Sequence, residues 1–292
     1  MLELILQIAL AGLAQGALYA LVALGLVVIS NTSNVLNFAQ GAMGMAVTYV
    51  AWALLTYAGA PFWLAVGAAC IAAFAIGALA QIVLLARLRG ASDMTQIVLT
   101  LGLAMLIEGL VGLGFGYNPR PMALPMSMGP LLVGPVVLRP QDIVNLSFLV
   151  VLSLALAVLF TRTSIGLTMR SITQNAFAAR LMGVPVERVL SPAWGFGVLL
   201  GGAAAVLAAP TTSVTPDMMN TILIYGFAGA IMGGFGSLVG ACVGGLLLGV
   251  INNFVVAFVS PQLSMTFIFA LLLVVLYVRP DGLFGRKSVR KV

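Results

Sequence analysis

The chain is written in apolar blocks separated by short polar breaks, at 4–29, 39–57, 62–86, 96–115, 143–160, 189–208, 222–232, 238–259 and 265–278. Most of these blocks have the length, about 17 to 25 residues, that carries a helix across a hydrocarbon core of about 30 Å. A membrane β-barrel would instead alternate lipid-facing and lumen-facing residues over about 10 positions, and no such period of two runs through the blocks. The pattern predicts an all-α polytopic membrane protein, one transmembrane domain over 1–292 with about eight or nine membrane-spanning helices, some broken or re-entrant. The shortest block, 222–232, is the least certain to cross by length alone.

Basic residues between the blocks orient the chain. Arg87 and Arg89 follow the third block, Arg162, Arg170, Arg180 and Arg188 follow the fifth, and Arg279, Arg286, Lys287, Arg290 and Lys291 form the tail at 279–292. Excess Lys and Arg mark cytoplasmic segments, so all three are expected on one side. Arg89 and Arg162 are separated by two blocks, which satisfies that parity, and puts the proline-rich loop 116–142 outside. Nine crossings place the N-terminus outside; eight, with a re-entrant segment after the first block, place it inside.

Polar residues inside this apolar text are the candidate chemistry. The stretch SNTSNVLNFAQG (30–41) sets Asn31, Asn34, Asn37 and Gln40 between two apolar blocks. It is either a capped short loop or a re-entrant element lining a pathway, since broken backbone at membrane depth is tolerated only inside protein or along a cavity. Glu108 is the one acid within a predicted span, and Asn220 precedes the 222–232 block; intramembrane ionisable groups are functional candidates by default. Gly229, Gly233, Gly236, Gly240, Gly244, Gly245 and Gly249 recur at four-residue spacing, which bares a helix face for close helix approach in lipid.

Composition excludes several classes. With 13 Lys and Arg, 7 Asp and Glu and no His in 292 residues, the chain lacks the commonest general base and any HExxH metal site. Cys70 and Cys242 sit inside apolar blocks and read as small buried hydrophobes. The N-terminus has no basic residue before its first block, unlike a cleaved signal peptide, and is read as a retained span. A Walker A loop needs GxxxxGK[ST], and both lysines follow arginines, so no P-loop is present. Neither GxSxG nor CxxC occurs, and no catalytic role or metal is assigned. The +6 net charge follows from the basic loops and is an orientation signal, not a nucleic-acid footprint. A stand-alone secondary transporter would need coupling groups, for which Glu108 is the one acidic candidate.

The segment 161–188 is too polar to span and too long for a turn. Within it QNAFAARLM (174–182) reads as a short helix broken by Gly183 and Pro185. It suits either a partner's groove, with arginines pairing to carboxylates there, or an anionic lipid surface.

Ala178-Ala179-x-x-x-Gly183 resembles the cytoplasmic loop motif of ABC importer permeases, with Phe177 where that motif has an acid. LNFAQGAMGM (36–45), NAFAARLMGVPVERV (175–189), the glycine block 229–249 and VRPDGLFG (278–285) together resemble the branched-chain amino acid ABC transporter permease family. That resemblance implies a bacterial inner-membrane subunit paired with a second permease (a homologous chain or a copy of itself). Two cytoplasmic ATPases would bind the ATP, and a periplasmic binding protein would deliver substrate. It implies coupling through Asn175, Ala178, Ala179, Arg180, Gly183, Glu187 and Arg188, and a branched-chain or other amino acid as cargo, with urea or short amides as the alternative. Asn31, Asn34, Asn37, Gln40, Glu108 and Asn220 are the expected pathway residues, because amide side chains and helix ends compensate a zwitterion without full charges in the membrane.

Overall fold

A computed structural model of the chain describes residues 1–84, 87, 92–122, 129–133, 136–174 and 176–285. Eleven helices run in chain order among the described residues. They are α1 Leu2–Ser33, α2 Gln40–Tyr57, α3 Phe62–Val83, α4 Asp93–Phe115, α5 Pro140–Arg162, α6 Ser164–Gln174, α7 Ala176–Leu181, α8 Val186–Thr212, α9 Asn220–Gly233, α10 Leu238–Phe258 and α11 Ser264–Val278. The fold is all-α and polytopic. Six helices, α1, α3, α4, α5, α8 and α10, are long and apolar enough to cross a membrane. The small hairpin β1 (Leu131–Val133) and β2 (Val136–Leu138), inside the proline-rich loop, is a minor ornament.

α1 and α8 are the central pillars. Both are apolar around their whole circumference and both are largely enclosed by other helices, as expected where no face is left for solvent or lipid. α1 continues four residues past its apolar block to Ser33 and ends at Asn34, whose positive φ of 55° forms a left-handed cap with its N–H on Ser30 O. Asn tolerates that conformation better than most residues. α4 lies at the periphery, with most of its surface exposed.

Contacts fix which end of each helix lies where. The Gln7 amide donates to Val137 O and accepts from Val137 N, at 2.8 and 3.0 Å, so the start of α1 sits on the β-hairpin. The backbones of Arg120 and Val214 bridge each other, placing the end of α8 there too. At the other end Phe160 and Thr161 share a groove with Leu238 and Val239, and the tail folds against α9, with Leu283 N on Met232 O and Phe284 N on Gly233 O. α9, only 14 residues and about 21 Å long by helical rise, reaches the tail end from a start where Met219 and Leu223 lie against Gly41. Met1, six positions before Gln7, lies at the hairpin end. α2 starts at a recessed turn and runs on to the hairpin end, where Trp52 meets Phe115.

VRPDGLFG acquires a physical role in this arrangement. Gly234 and Gly282, at φ 101° and 81°, let two backbones pass in contact, and Leu283 and Phe284 N–H groups satisfy carbonyls that the end of α9 would otherwise leave unpaired. Glycines also join α10 to its neighbours: Gly245 and Gly249 abut Ala20 and Gly16 of α1, while Gly229 and Gly233 of α9 meet Gly244 and Gly240. Gly236 has open space around it and takes no part in that seam.

Candidate functional site

At the end carrying Arg87, Arg162, Arg170 and Arg279, α6 and α7 form a knob between α5 and α8. The segment is two helices and not the single 174–182 helix that its composition suggests. α6 buries Gly166, Met169 and Ile172, one helical face at three-residue spacing. Gly166 allows the tight joint, because a Cβ there would strike the Leu159 and Phe160 backbone. α7 stops at Gly183, φ 79°, with Val184 N closing onto Ala179 O at 3.0 Å. Ala179 is buried while Ala178 is exposed. Leu167, Ala178, Ala179, Met182 and Val184 line an open groove of about 480 Å³, and Leu167, Leu181 and Met182 are 63, 74 and 84% exposed. Asn175 lies outside the described residues, as do the side chains of Arg180, Glu187 and Arg188.

The turn between α1 and α2 gathers two of the expected pathway residues. Asn37 and Gln40 are fully buried. Asn37 Nδ2 donates to Gln40 Oε1 at 3.1 Å, and its Oδ1 accepts from Ala39 N. Gln40 Nε2 donates to Gly197 O of α8 at 2.6 Å. Glycine at 25, 197 and 201 makes this possible: a Cβ on Gly25 or Gly201 would occupy the space of the Gln40 amide. Thr100 of α4 closes the knot with longer contacts to Phe38 N and Leu36 O, both 3.4 Å, and Trp194 Nε1 donates to Ser33 Oγ. Asn31 is half-buried and Asn34 is exposed at the cap.

Glu108 and Asn220 take no part in these hydrogen bonds, although Met219, beside Asn220, lies against Gly41. Glu108, half-buried in α4, is within electrostatic reach of Asp217, whose carbonyl accepts the Asn220 N–H at 3.0 Å. Nearby, the Arg120 guanidinium stacks 4.4 Å over the Trp52 ring, an arrangement that lets a cation lie against apolar protein.

A third polar region escaped the reading of the sequence. Between α1, α5, α8, α9 and α10, at the hairpin end, a cavity of about 540 Å³ is bordered by Gln15, Tyr19, Gln141, Asn145, Tyr225 and Asn252 among others. A signal was available: Gln15 interrupts the first apolar block and Asn252-Asn253 the eighth, and polar side chains there need partners or a cavity.

Residues 8–276 match the model of the branched-chain amino acid transport system permease component family. The chain belongs to that family. Among curated relatives, the high-affinity branched-chain amino acid permease LivH of Salmonella typhimurium is 29% identical, covering 96% of both chains. BraD of Pseudomonas aeruginosa is also 29% identical with the same coverage. A LivH described as a probable branched-chain amino acid transport permease, from Methanocaldococcus jannaschii, is 24% identical over 92% of this chain and 89% of its own. Among solved structures, PsaBC from Streptococcus pneumoniae in complex with Fab aligns with a TM-score of 0.48 at 12% identity, over 93% of this chain and 91% of that one. As an ABC permease, this branched-chain amino acid transport component is a multi-pass membrane protein.

Proposed function

We propose that the chain is the membrane subunit of an ATP-driven importer of branched-chain amino acids in a bacterial inner membrane. The observation that carries this reading is the α6–α7 knob: an exposed apolar groove at one end of the body, on a helix that also exposes Arg170. Contiguous exposed apolar surface outside the lipid-facing spans marks a protein contact, and arginines beside it suit carboxylates of a partner. The basic end faces the cytoplasm under the positive-inside rule, and two ATPase subunits, which bind the ATP, dock there. Asn175, Ala178, Ala179, Arg180, Gly183, Glu187 and Arg188 form the coupling contact. A second permease subunit completes the translocation unit, and a substrate-binding protein delivers cargo at the hairpin end.

Nucleotide binding by the ATPases must favour one permease state through differential contacts, and the knob is the lever. It sits on α5 and precedes α8, so its displacement is passed to a central pillar. Asn31, Asn34, Glu108 and Asn220 are proposed to guide the zwitterion, with Asn37 and Gln40 holding the turn that borders its path. The test is reconstitution of the complete assembly in proteoliposomes, measuring ATP-dependent uptake of leucine against urea. Met182→Glu puts a charge into the groove from an exposed position and is expected to lower ATPase co-purification and uptake at least tenfold while the chain stays folded; undiminished assembly would overturn the docking assignment.

A further inference from the structure

The cavity at the hairpin end lies wholly within one chain, and residues that border it carry buried hydrogen-bond acceptors that the protein leaves unpaired. Asn252 is 5% exposed and its Oδ1 is buried without a partner; so is Oε1 of Gln141. The Gln141 assignment is fixed by its other half, because Nε2 donates to Leu207 O at 2.6 Å and to Asn145 Oδ1 at 2.9 Å. Asn145 in turn reaches Ala14 O. The nitrogen is therefore committed to the scaffold and the oxygen is left over. Terminal amide torsions are broad, so a modest rotation of Asn252 turns its oxygen into the cavity.

Charge is ordered along the same wall. Arg139 and Asp142 both border the cavity and approach to 3.9 Å, but the Arg139 side chain is 68% exposed and that of Asp142 only 17%. The positive group stands at the mouth; the carboxylate and the unpaired amide oxygens lie further in. Leu18, Met218 and Ile222 supply apolar wall between them. Asn252 precedes the end of α10 by six residues, about 9 Å at helical rise, so the cavity enters the body and is not a surface dimple.

We infer that this cavity is a binding site, in each copy of the chain, for a small aliphatic zwitterion, with its ammonium group on Asn252 and Asp142 and its carboxylate towards Arg139. An unpaired buried acceptor costs its full desolvation, and an ammonium, with three donors and no acceptor, is the group that matches several acceptors at once. A carboxylate directed inward would approach the Asp142 carboxylate and leave Arg139 behind at the mouth. The inference deepens the importer reading, on whose cargo class it rests, by giving the cargo a resting place separate from the Asn37–Gln40 knot.

The test uses the full chain in lipid nanodiscs, without ATPase or binding protein, and measures equilibrium binding of leucine, N-acetyl-leucine and 4-methylpentanoate. Leucine is expected to bind and the two analogues without a free ammonium to bind at least tenfold more weakly. Asn252→Leu is expected to abolish leucine binding while melting at or above the wild-type temperature, because it removes an unpaired group. Asn252→Asp keeps the acceptor and is expected to retain binding, an outcome that a purely structural role would not give. Equal binding of all three compounds, a cavity that holds water only, or unaltered affinity in Asn252→Leu overturns the inference. If the assembled transporter takes up leucine while the chain alone binds none, this inference falls and the importer reading stands. If the chain binds leucine but the assembly never transports it, the importer reading falls.

Discussion

Two polar clusters inside the same apolar body behave oppositely. Around Gln40 the side-chain amides are spent on the fold: Asn37, Gln40, Ala39 and Gly197 exchange hydrogen bonds in a space with no room for a further atom, as the glycines at 25 and 201 show. Around Asn252 the amides stand beside an open volume and two oxygens have no partner. A satisfied buried network rigidifies and specifies a structure; an unsatisfied one beside a cavity leaves interactions for something else to complete. Polarity in a membrane span therefore has two meanings, and hydrogen-bond accounting separates them.

That contrast can be broken by substitution. The largest effect is expected from Gly201→Leu, whose side chain would displace the Gln40 amide and push α2 from α8; loss of monodisperse protein on size-exclusion chromatography checks it. Gln40→Leu comes next. It removes the second donor to the Gly197 carbonyl and leaves the Asn37 amide nitrogen with a 3.9 Å contact to Met43 Sδ, at about 1–3 kcal/mol for a buried group left without a good partner, and should lower the thermal unfolding midpoint in detergent by several degrees. The same change of residue type at Asn252 should have the opposite sign or none, within about 1 kcal/mol, because no partner is lost there. Smallest is Thr100→Val, which removes contacts of 3.4 Å; interhelical hydrogen bonds in membranes average about 0.6 kcal/mol, and the midpoint should move by no more than about a degree or two. Equal destabilisation by Gln40→Leu and Asn252→Leu would erase the distinction between the clusters.

Much of the fold was legible. Each of the nine apolar blocks corresponds to a helix, because leaving water is a property summed over a local run of residues. The recessed turn at 34–39 was legible only as an ambiguity, since Asn and Gln at that spacing serve a loop cap and a pathway equally well. The knob was visible as a polar interruption with Gly183 and Pro185, but its division into α6 and α7 depended on Met169 and Ile172 finding a surface to bury against. Gln15 and Asn252 were readable as anomalies in apolar blocks, yet nothing local says that they border one cavity, as 237 positions separate them. VRPDGLFG was recognisable as a pattern, whereas its work in capping α9 required the tail to return to residues 232–234.

By itself the sequence determined which segments leave water and where the polar breaks fall between them, because hydropathy acts on each segment independently of its neighbours. Tertiary structure alone decided which buried amides are occupied. Gln40 is satisfied by a carbonyl 157 positions away, and Asn252 by none. A hydrogen bond exists only within about 3 Å of its partner, and the folded packing of helices, not the order of residues, sets that distance.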